Sequence, residues 1–413
     1  MENRRLRLPL AIVVAGAAAA AATLLLRPRS GLIEPAAVDA KAYFSPEQLQ
    51  RASDFRDTQR LLGLAGLAIS GGTLALLALR PPRLLDGLGR RPLLGAVAGG
   101  AGISVLLVAT GLPLSAVAHE RAVAVGLSTQ DWLPWLGDVG KAAGVSAVFA
   151  GGGAALALAF VRRFRRRWWL PAASGAVGLG VVSLWLFPVL VDPLFNRFDP
   201  LPDGRLRGEV LQLAREAGVD VGEVYRVDAS RRTTGANAYV VGLGHTKRVV
   251  LYDTLIDRFP PEQVRSVVAH ELGHQAHHDL WRGVAWLALV APAGSFLAQA
   301  LAERIGARRG LADPAARPGP AALPALALSL ALVAFVLGGA SNALSRRVEA
   351  NADAFSLRLT RDPAAFIALE RRLAVTNVAD PDPPALLQAL FGTHPTTVDR
   401  IGIGESWARL AGG

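Results

Sequence analysis

The chain has 413 residues, of which 52% are hydrophobic, and it carries a formal net charge of +11 at pH 7 without any cysteine. The absence of cysteine excludes disulfides and thiolate metal sites, so a bound metal must use His, Asp or Glu as ligands. The high apolar content indicates a membrane protein, because long uncharged segments account for it.

About seven apolar runs, each of about 18–25 residues, are long enough to cross a bilayer. They predict a mainly α, polytopic membrane protein with about seven transmembrane helices in a cell membrane. In chain order the runs lie near Leu8–Leu26, Leu61–Leu79, Leu93–Val117, Ala142–Val161, Trp169–Val191, Val284–Ala302 and Ala321–Leu344.

The arginines gather in the short connections between these runs rather than on one soluble face. Three such groups lie within 80–91, 162–167 and 304–317. Basic short loops are typical of the cytoplasmic side of a membrane, whereas a nucleic-acid surface concentrates its charge on a folded domain. We therefore predict a lipid bilayer as partner and no nucleic acid. If all seven runs are spans, the stretch 192–283 lies outside the cytoplasm.

The stretch 192–283 follows the fifth run and predicts a small α/β subdomain. A helix is expected over Leu206–Ala217, a strand near Val224–Val227, and a hairpin from Ala238–Val241 and Arg248–Tyr252. An exposed strand edge of this hairpin is able to hold a substrate peptide by backbone hydrogen bonds. An ordinary structural subdomain explains the same pattern and is compatible with that role.

A metal-binding pattern follows the hairpin, on a helix predicted to begin after Pro260 and Pro261. His270 and His274 are four residues apart, so they share one face of that helix and can bind one ion. Glu271 lies beside them, where it can activate a water molecule. This H-E-x-x-H pattern predicts metal-assisted hydrolysis of a peptide bond. The alternative is a core helix that carries two histidines by chance.

A catalytic zinc site needs about three protein ligands. His277 and His278 follow closely, but a third ligand from the same short helix would crowd one side of the ion, so we expect both at the surface or in support of the site. Glu349 and Asp353 share a face of a later helix. We predict Glu349 as the third ligand, with Asp353 either hydrogen-bonded to a ligand imidazole or donating a proton. The alternative is a solvated acidic face paired with neighbouring arginines.

Membrane topology supports this ligand set. Two apolar runs separate His274 from Glu349, and an even number of crossings returns the chain to the side on which it started. His394 falls on the same side. The resulting division of the chain has four parts: an N-terminal membrane region 1–191, a catalytic subdomain 192–283, a two-span hairpin 284–344, and a C-terminal part of the catalytic domain 345–413.

An ordered series of motifs extends over nearly the whole chain: Asp192–Asn196, Thr234–Tyr239, Thr246–Leu255, His270–His274, Ser345–Asp353 and Thr393–Pro395. With this series the chain resembles the integral-membrane zinc metalloproteases of the type-one CAAX prenyl endopeptidase family. The resemblance implies a gluzincin-like site with one Zn²⁺ on His270, His274 and Glu349. It also implies that Glu271 is the catalytic base.

The same resemblance implies roles for three further polar residues. Asp353 corresponds to the acid that the family is credited with as proton donor, while Asn237 and His394 correspond to polar positions that line the cleft. The implied substrate is a peptide or protein, prenylated as in CAAX proteases or membrane-bound as in quality-control proteases. Eukaryotic relatives face the cytosol, which conflicts with the orientation that the basic loops indicate.

Two other classes of function remain as alternatives. A catalytically inactive membrane scaffold or chaperone-like binder would be indicated by the loss of Glu271 or a ligand, and neither is missing. A transporter would carry charged residues inside its spans. Asp138 and Lys141 lie only at the edge of one, so they support this alternative weakly.

Overall fold

The computed structural model describes residues 2–242, 247–313 and 315–411. Helices dominate these residues, and one small sheet interrupts them. The helices, numbered in chain order, are α1 Glu2–Leu26, α2 Pro46–Leu79, α3 Arg83–Gly87, α4 Pro92–Ala124, α5 Trp132–Phe164, α6 Trp169–Leu186, α7 Asp192–Phe195, α8 Arg205–Glu216, α9 Asp253–Arg258, α10 Pro261–Ala276, α11 Asp279–Ile305, α12 Leu323–Thr360, α13 Pro363–Thr376, α14 Ala385–Phe391 and α15 Thr397–Ala411.

Seven helical segments of this described part are long and apolar enough to cross a membrane, which confirms the predicted number of spans. They begin in α1, α2, α4, α5, α6 and α11, and just before α12. Several are much longer than a bilayer requires. With 38 residues, α12 is about 57 Å long, against a hydrocarbon thickness of about 30 Å. Its C-terminal part therefore extends beyond the membrane.

The soluble stretch forms a four-stranded sheet in the order β1-β2-β4-β3. The strands are β1 Phe198–Pro200, β2 Glu223–Val227, β3 Ala238–Val241 and β4 Arg248–Tyr252. The predicted hairpin is present, because β3 pairs antiparallel with β4. Its connecting loop, residues 243–246, lies outside the described residues. Since β3 is the last strand in the order, it forms one edge of the sheet.

Helix α10 lies between this sheet and α12, and its sequence suits both neighbours. Val268, Ala269 and Leu272 are fully buried in a core shared with strand residues such as Val249. Gly273 faces α12 instead. A Cβ there would lie 3.1 Å from the ring of Phe355, so a glycine allows the two helices to approach closely. The two spacer residues of the H-E-x-x-H pattern therefore fix the helix on two sides.

Helices α11 and α12 form the two-span return that the sequence predicted, and they contact each other. The expected division between residues 344 and 345 falls inside α12, which is continuous from Leu323 to Thr360. The last span and the segment that carries Glu349 are consequently one helix. A membrane span thus directly sets the position of the acidic side chain.

Candidate metal centre

His270 and His274 lie near the C-terminal end of α10, and their Nε2 atoms are 3.2 Å apart. Glu349 approaches them from α12. Its Oε2 atom is 3.1 Å from Nε2 of His270 and 3.6 Å from Nε2 of His274. The structure therefore brings together three candidate ligand atoms that the sequence separates by two membrane spans.

The spacing of these atoms can be tested against the geometry of a metal ion. Zinc bonds to nitrogen and oxygen are about 2.0–2.1 Å long, so two ligands of a tetrahedral ion lie about 3.4 Å apart. The three observed distances, 3.1, 3.2 and 3.6 Å, bracket that value. Two imidazoles and one carboxylate also form a donor set that divalent transition metals favour. These residues fit a single divalent ion.

Each imidazole is oriented through its other nitrogen. Nδ1 of His270 donates to Oδ1 of Asp353 at 2.8 Å, and Nδ1 of His274 donates to Oδ2 of Asp279 at 3.0 Å. Metal-bound histidines usually have such a partner, because it fixes the tautomer and points Nε2 at the ion. The sequence predicted this contact as one of two roles for Asp353, and it gave no such prediction for Asp279. A signal was available, since Asp279 begins the next helix only five residues after His274.

The carboxylates around the imidazoles change their proton affinity. Burial lowers the pKa of His270, but the hydrogen bonds to Asp353 and Glu349 outweigh burial and raise this pKa to about 10. Burial likewise lowers the pKa of His274, whereas the bonds to Asp279 and Glu349 raise it to about 9. The surroundings of both rings thus favour positive charge, as a cation site requires.

A partly buried arginine that no sequence motif indicated completes the network. Arg400, on α15, donates through Nε to Oδ2 of Asp353 at 2.9 Å and through Nη2 to Oδ1. Its Nη1 atom is 2.9 Å from Oε2 of Glu370 on α13. Burial raises the pKa of Glu370 to about 7, although Arg400 opposes the shift. Three helices from distant parts of the chain therefore meet behind His270.

Glu271 and His394 lie near the ligands without belonging to the set of three. Glu271 follows His270 on α10, and burial raises its pKa. Nε2 of His394 is 3.3 Å from Oε2 of Glu349, and its side chain is 57% exposed. His394 thus lies between the cluster and solvent.

The other polar residues named from the sequence lie farther out. Asn237 is exposed and immediately precedes β3, and no described side chain forms a hydrogen bond with its amide. His277 contacts the amide of Asn351 through Nδ1 at 3.0 Å, so it supports the junction of α10 and α12. His278 is exposed and adopts a left-handed conformation, φ 54°, between α10 and α11.

The chain matches two protein-family models. A model described as "Peptidase family M48" matches residues 200–407, about half of the chain. A second model, "CAAX prenyl protease N-terminal, five membrane helices", matches residues 103–197. The first match contains the complete ligand cluster and its carboxylate partners. The second ends at the start of the soluble stretch.

Individual proteins give the same result. An uncharacterized metalloprotease of Bacillus subtilis, YhfN, is 32% identical over 304 residues, 72% of this chain and 70% of its own. A rice CAAX prenyl protease 1 homolog is 32% identical over 226 residues, about half of either chain. The crystal structure of S. mikatae Ste24p shares the fold, with a TM-score of 0.77 at 18% identity over 97% of this chain and 99% of the other. The chain belongs to peptidase family M48 and is a multi-pass membrane metalloendopeptidase that acts on a peptide or protein substrate.

Proposed function

We propose that the metal is zinc, one ion per chain, and that His270, His274 and Glu349 hold it. The observation that carries this proposal is the convergence of their three ligand atoms at 3.1–3.6 Å. A site with two histidines and one glutamate leaves a position open for a water molecule or substrate, as catalytic zinc sites do.

The catalytic roles follow from the positions of the side chains. His270, His274 and Glu349 would hold the zinc ion, which would supply Lewis-acid chemistry for the scissile carbonyl and for a water molecule. Glu271 accepts a proton from this water and later passes it to the leaving amine. Burial raises the pKa of Glu271, which brings its carboxylate closer to the pH range in which a general base works best.

Asp353 and His394 receive different roles. Both carboxylate oxygens of Asp353 already accept bonds from His270 and Arg400, which favours orientation of the imidazole over donation of a proton to substrate. His394 is half exposed beside Glu349 and is the better placed donor to the oxyanion. Asn237 precedes the edge strand and is assigned to contacts with the bound peptide.

The substrate is proposed to bind as an additional strand on β3. This strand is at the edge of the sheet, and it contacts α10, the helix that carries Glu271. Backbone hydrogen bonds to an edge strand bind an extended peptide with little dependence on its sequence. Such binding suits a segment presented at the membrane surface, whether or not it carries a prenyl group.

Substituting Glu271 tests this function against the inactive scaffold. For Glu271→Gln in detergent we expect unchanged zinc content and a loss of peptide hydrolysis of about a hundred- to ten-thousand-fold. A chelator should abolish hydrolysis by the wild type, and added zinc should restore it. Full turnover in the variant would refute the assigned base, and a wild type without any hydrolysis would support the scaffold.

The prenyl requirement needs a separate comparison of one peptide in farnesylated and unmodified forms. Equal rates would assign the chain to general cleavage of membrane-bound segments. A rate at least about tenfold higher for the farnesylated form, equivalent to about 1.4 kcal/mol, would assign it to CAAX-like substrates.

We also propose that the metal centre faces away from the cytoplasm of a cell membrane. The connections at the opposite end of the bundle, near 80–91 and 162–167, are rich in arginine, whereas the connection 125–131 on the metal side contains no lysine or arginine. Positive charge in short loops favours the cytoplasmic side. A topology reporter fused after Gly413 should be active in the extracytoplasmic space, and activity in the cytoplasm would reverse the assignment.

A further inference from the structure

A cavity of about 360 Å³ lies at the end of the bundle opposite the metal centre. Arg7, Arg165, Arg166 and Arg167 contribute to its wall, together with only two acids, Glu303 and Asp313. We propose that this cavity binds the phosphate headgroup of an anionic phospholipid, in the leaflet opposite the metal centre.

The cavity lies at the depth at which a headgroup is found. Helix α11 begins at Asp279, next to His274, and Glu303 follows 24 residues later along the same helix. At 1.5 Å per residue this separation is about 36 Å, close to the distance between the two headgroup layers of a bilayer. Trp168 and Trp169 adjoin the arginines, and tryptophan is enriched at that depth.

The backbone below the arginines is held in place by a buried side chain. Gln299, fully buried on α11, donates through Nε2 to the carbonyl of Arg166 at 3.0 Å and accepts from the amide of Trp169 at 3.2 Å. The same nitrogen donates to Glu303. The turn that carries Arg165–Arg167 is therefore attached to α11, which gives the cavity a fixed wall.

Positive charge exceeds negative charge in the wall of the cavity, which favours binding of an anion. Glu303 pairs with Arg7, and Arg165 donates through Nη1 to the carbonyl of Ala316 at 3.2 Å. Arg166 and Arg167 are exposed, and among the described residues no carboxylate forms an ion pair with either. Each planar guanidinium group at a headgroup layer can donate two parallel hydrogen bonds to phosphate oxygens.

A basic cavity between helix ends differs from a merely basic loop, and this difference defines the test. Arg90 and Arg91 are equally exposed, lie at the same end of the bundle and do not line the cavity. That they share this end follows from the ion pair of Arg309 with Asp86, four residues before Arg90. The pair Arg90 and Arg91 therefore serves as a control of equal charge.

The experiment measures lipid binding to the full chain in neutral detergent by native mass spectrometry, with phosphatidylglycerol and phosphatidylcholine titrated separately. We expect the wild type to bind phosphatidylglycerol at least about tenfold more tightly, and Arg166→Gln/Arg167→Gln to remove most of that preference. Arg90→Gln/Arg91→Gln should change it by less than about twofold. Arg166→Lys/Arg167→Lys, which keeps the charge but not the fork, should lie between the two.

Three outcomes would overturn the proposal. One is unchanged phosphatidylglycerol binding in Arg166→Gln/Arg167→Gln, and another is an equal loss in the control pair, which would reduce the effect to general surface charge. The third is inorganic phosphate binding as tightly as the lipid, measured by competition, which would make the site one for the free anion. Thermal unfolding of each variant in parallel identifies a misfolded protein. If Arg166→Gln/Arg167→Gln is misfolded, the lipid preference of Arg166→Lys/Arg167→Lys is compared with that of the wild type instead.

Discussion

Charged side chains are buried and paired at one end of α11 and α12, whereas they are exposed at the other end. At the metal end, Asp353 is fully buried and bonded to both His270 and Arg400. At the other end, Arg166 and Arg167 are exposed beside a cavity. A charge that is removed from water must be paired and hydrogen-bonded, whereas a charge at a headgroup layer remains solvated or meets lipid.

The metal chemistry and the proposed lipid contact therefore lie at opposite ends of the same pair of helices. The buried network orients the imidazoles of His270 and His274, as a metal site needs. The exposed arginines have long aliphatic stems, which allow their charged ends to reach the headgroup layer. Substitutions at the two ends should consequently differ in both the size and the kind of effect.

The largest effect is expected for Glu349→Ala. If the proposed ligand set is correct, this change removes one of its three ligand atoms, so the content of the proposed zinc ion should fall from about one per chain to near zero and peptide hydrolysis should be lost. Glu262→Ala, an exposed glutamate on α10, is the matched control and should retain both. Metal content by elemental analysis checks the prediction. A variant that keeps its zinc would remove Glu349 from the ligand set.

Arg400→Met should produce the next largest effect. The change leaves Glu370 without a cationic partner and Asp353 with only His270, and removal of one member of a buried ion pair costs about 3–5 kcal/mol. Adding Glu370→Gln should recover part of this loss, because one of the unpaired charges disappears. Thermal unfolding in detergent gives the order wild type, double variant, single variant. The reverse order of the two variants would show that Arg400 and Glu370 are not coupled.

A smaller effect is expected for the carboxylates that orient the imidazoles. Asp353→Asn and Asp279→Asn should each weaken zinc binding by about 10- to 100-fold. The loss should be greater for Asp353, since this carboxylate also balances the charge of Arg400, whereas Asp279 pairs with the peripheral Arg282. Competition with a chromogenic chelator measures both affinities. A greater loss for Asp279 would contradict the importance given to the buried network.

The smallest effect on catalysis is expected at the other end. Arg166→Gln/Arg167→Gln should change the hydrolysis of a short soluble peptide by less than about twofold, because Glu303, which lines the same cavity, is about 36 Å along α11 from Asp279, the partner of His274. The assay uses neutral detergent without anionic lipid. A loss as great as that of Asp353→Asn would mean that the two ends are energetically coupled along α11.

Much of the fold could be predicted because its signals are local. A run of apolar residues is enough to indicate a membrane span. A proline at its start and two histidines at helical spacing were enough to indicate α10. The β3–β4 hairpin likewise followed from two β-rich runs close in sequence. The approach of Glu349 to the two histidines was predictable for a different reason, since counting membrane crossings restricts where a distant segment can lie.

The sequence by itself thus determined the class of protein, the membrane spans and the candidate ligand types, because hydropathy and helical periodicity act over short stretches. Only the tertiary structure decided which carboxylate orients His274, that Arg400 and Glu370 stand behind Asp353, and that Gly273 lets α12 approach. Those contacts join residues tens to hundreds of positions apart, and no local pattern records which of many acids and arginines will meet when the helices pack.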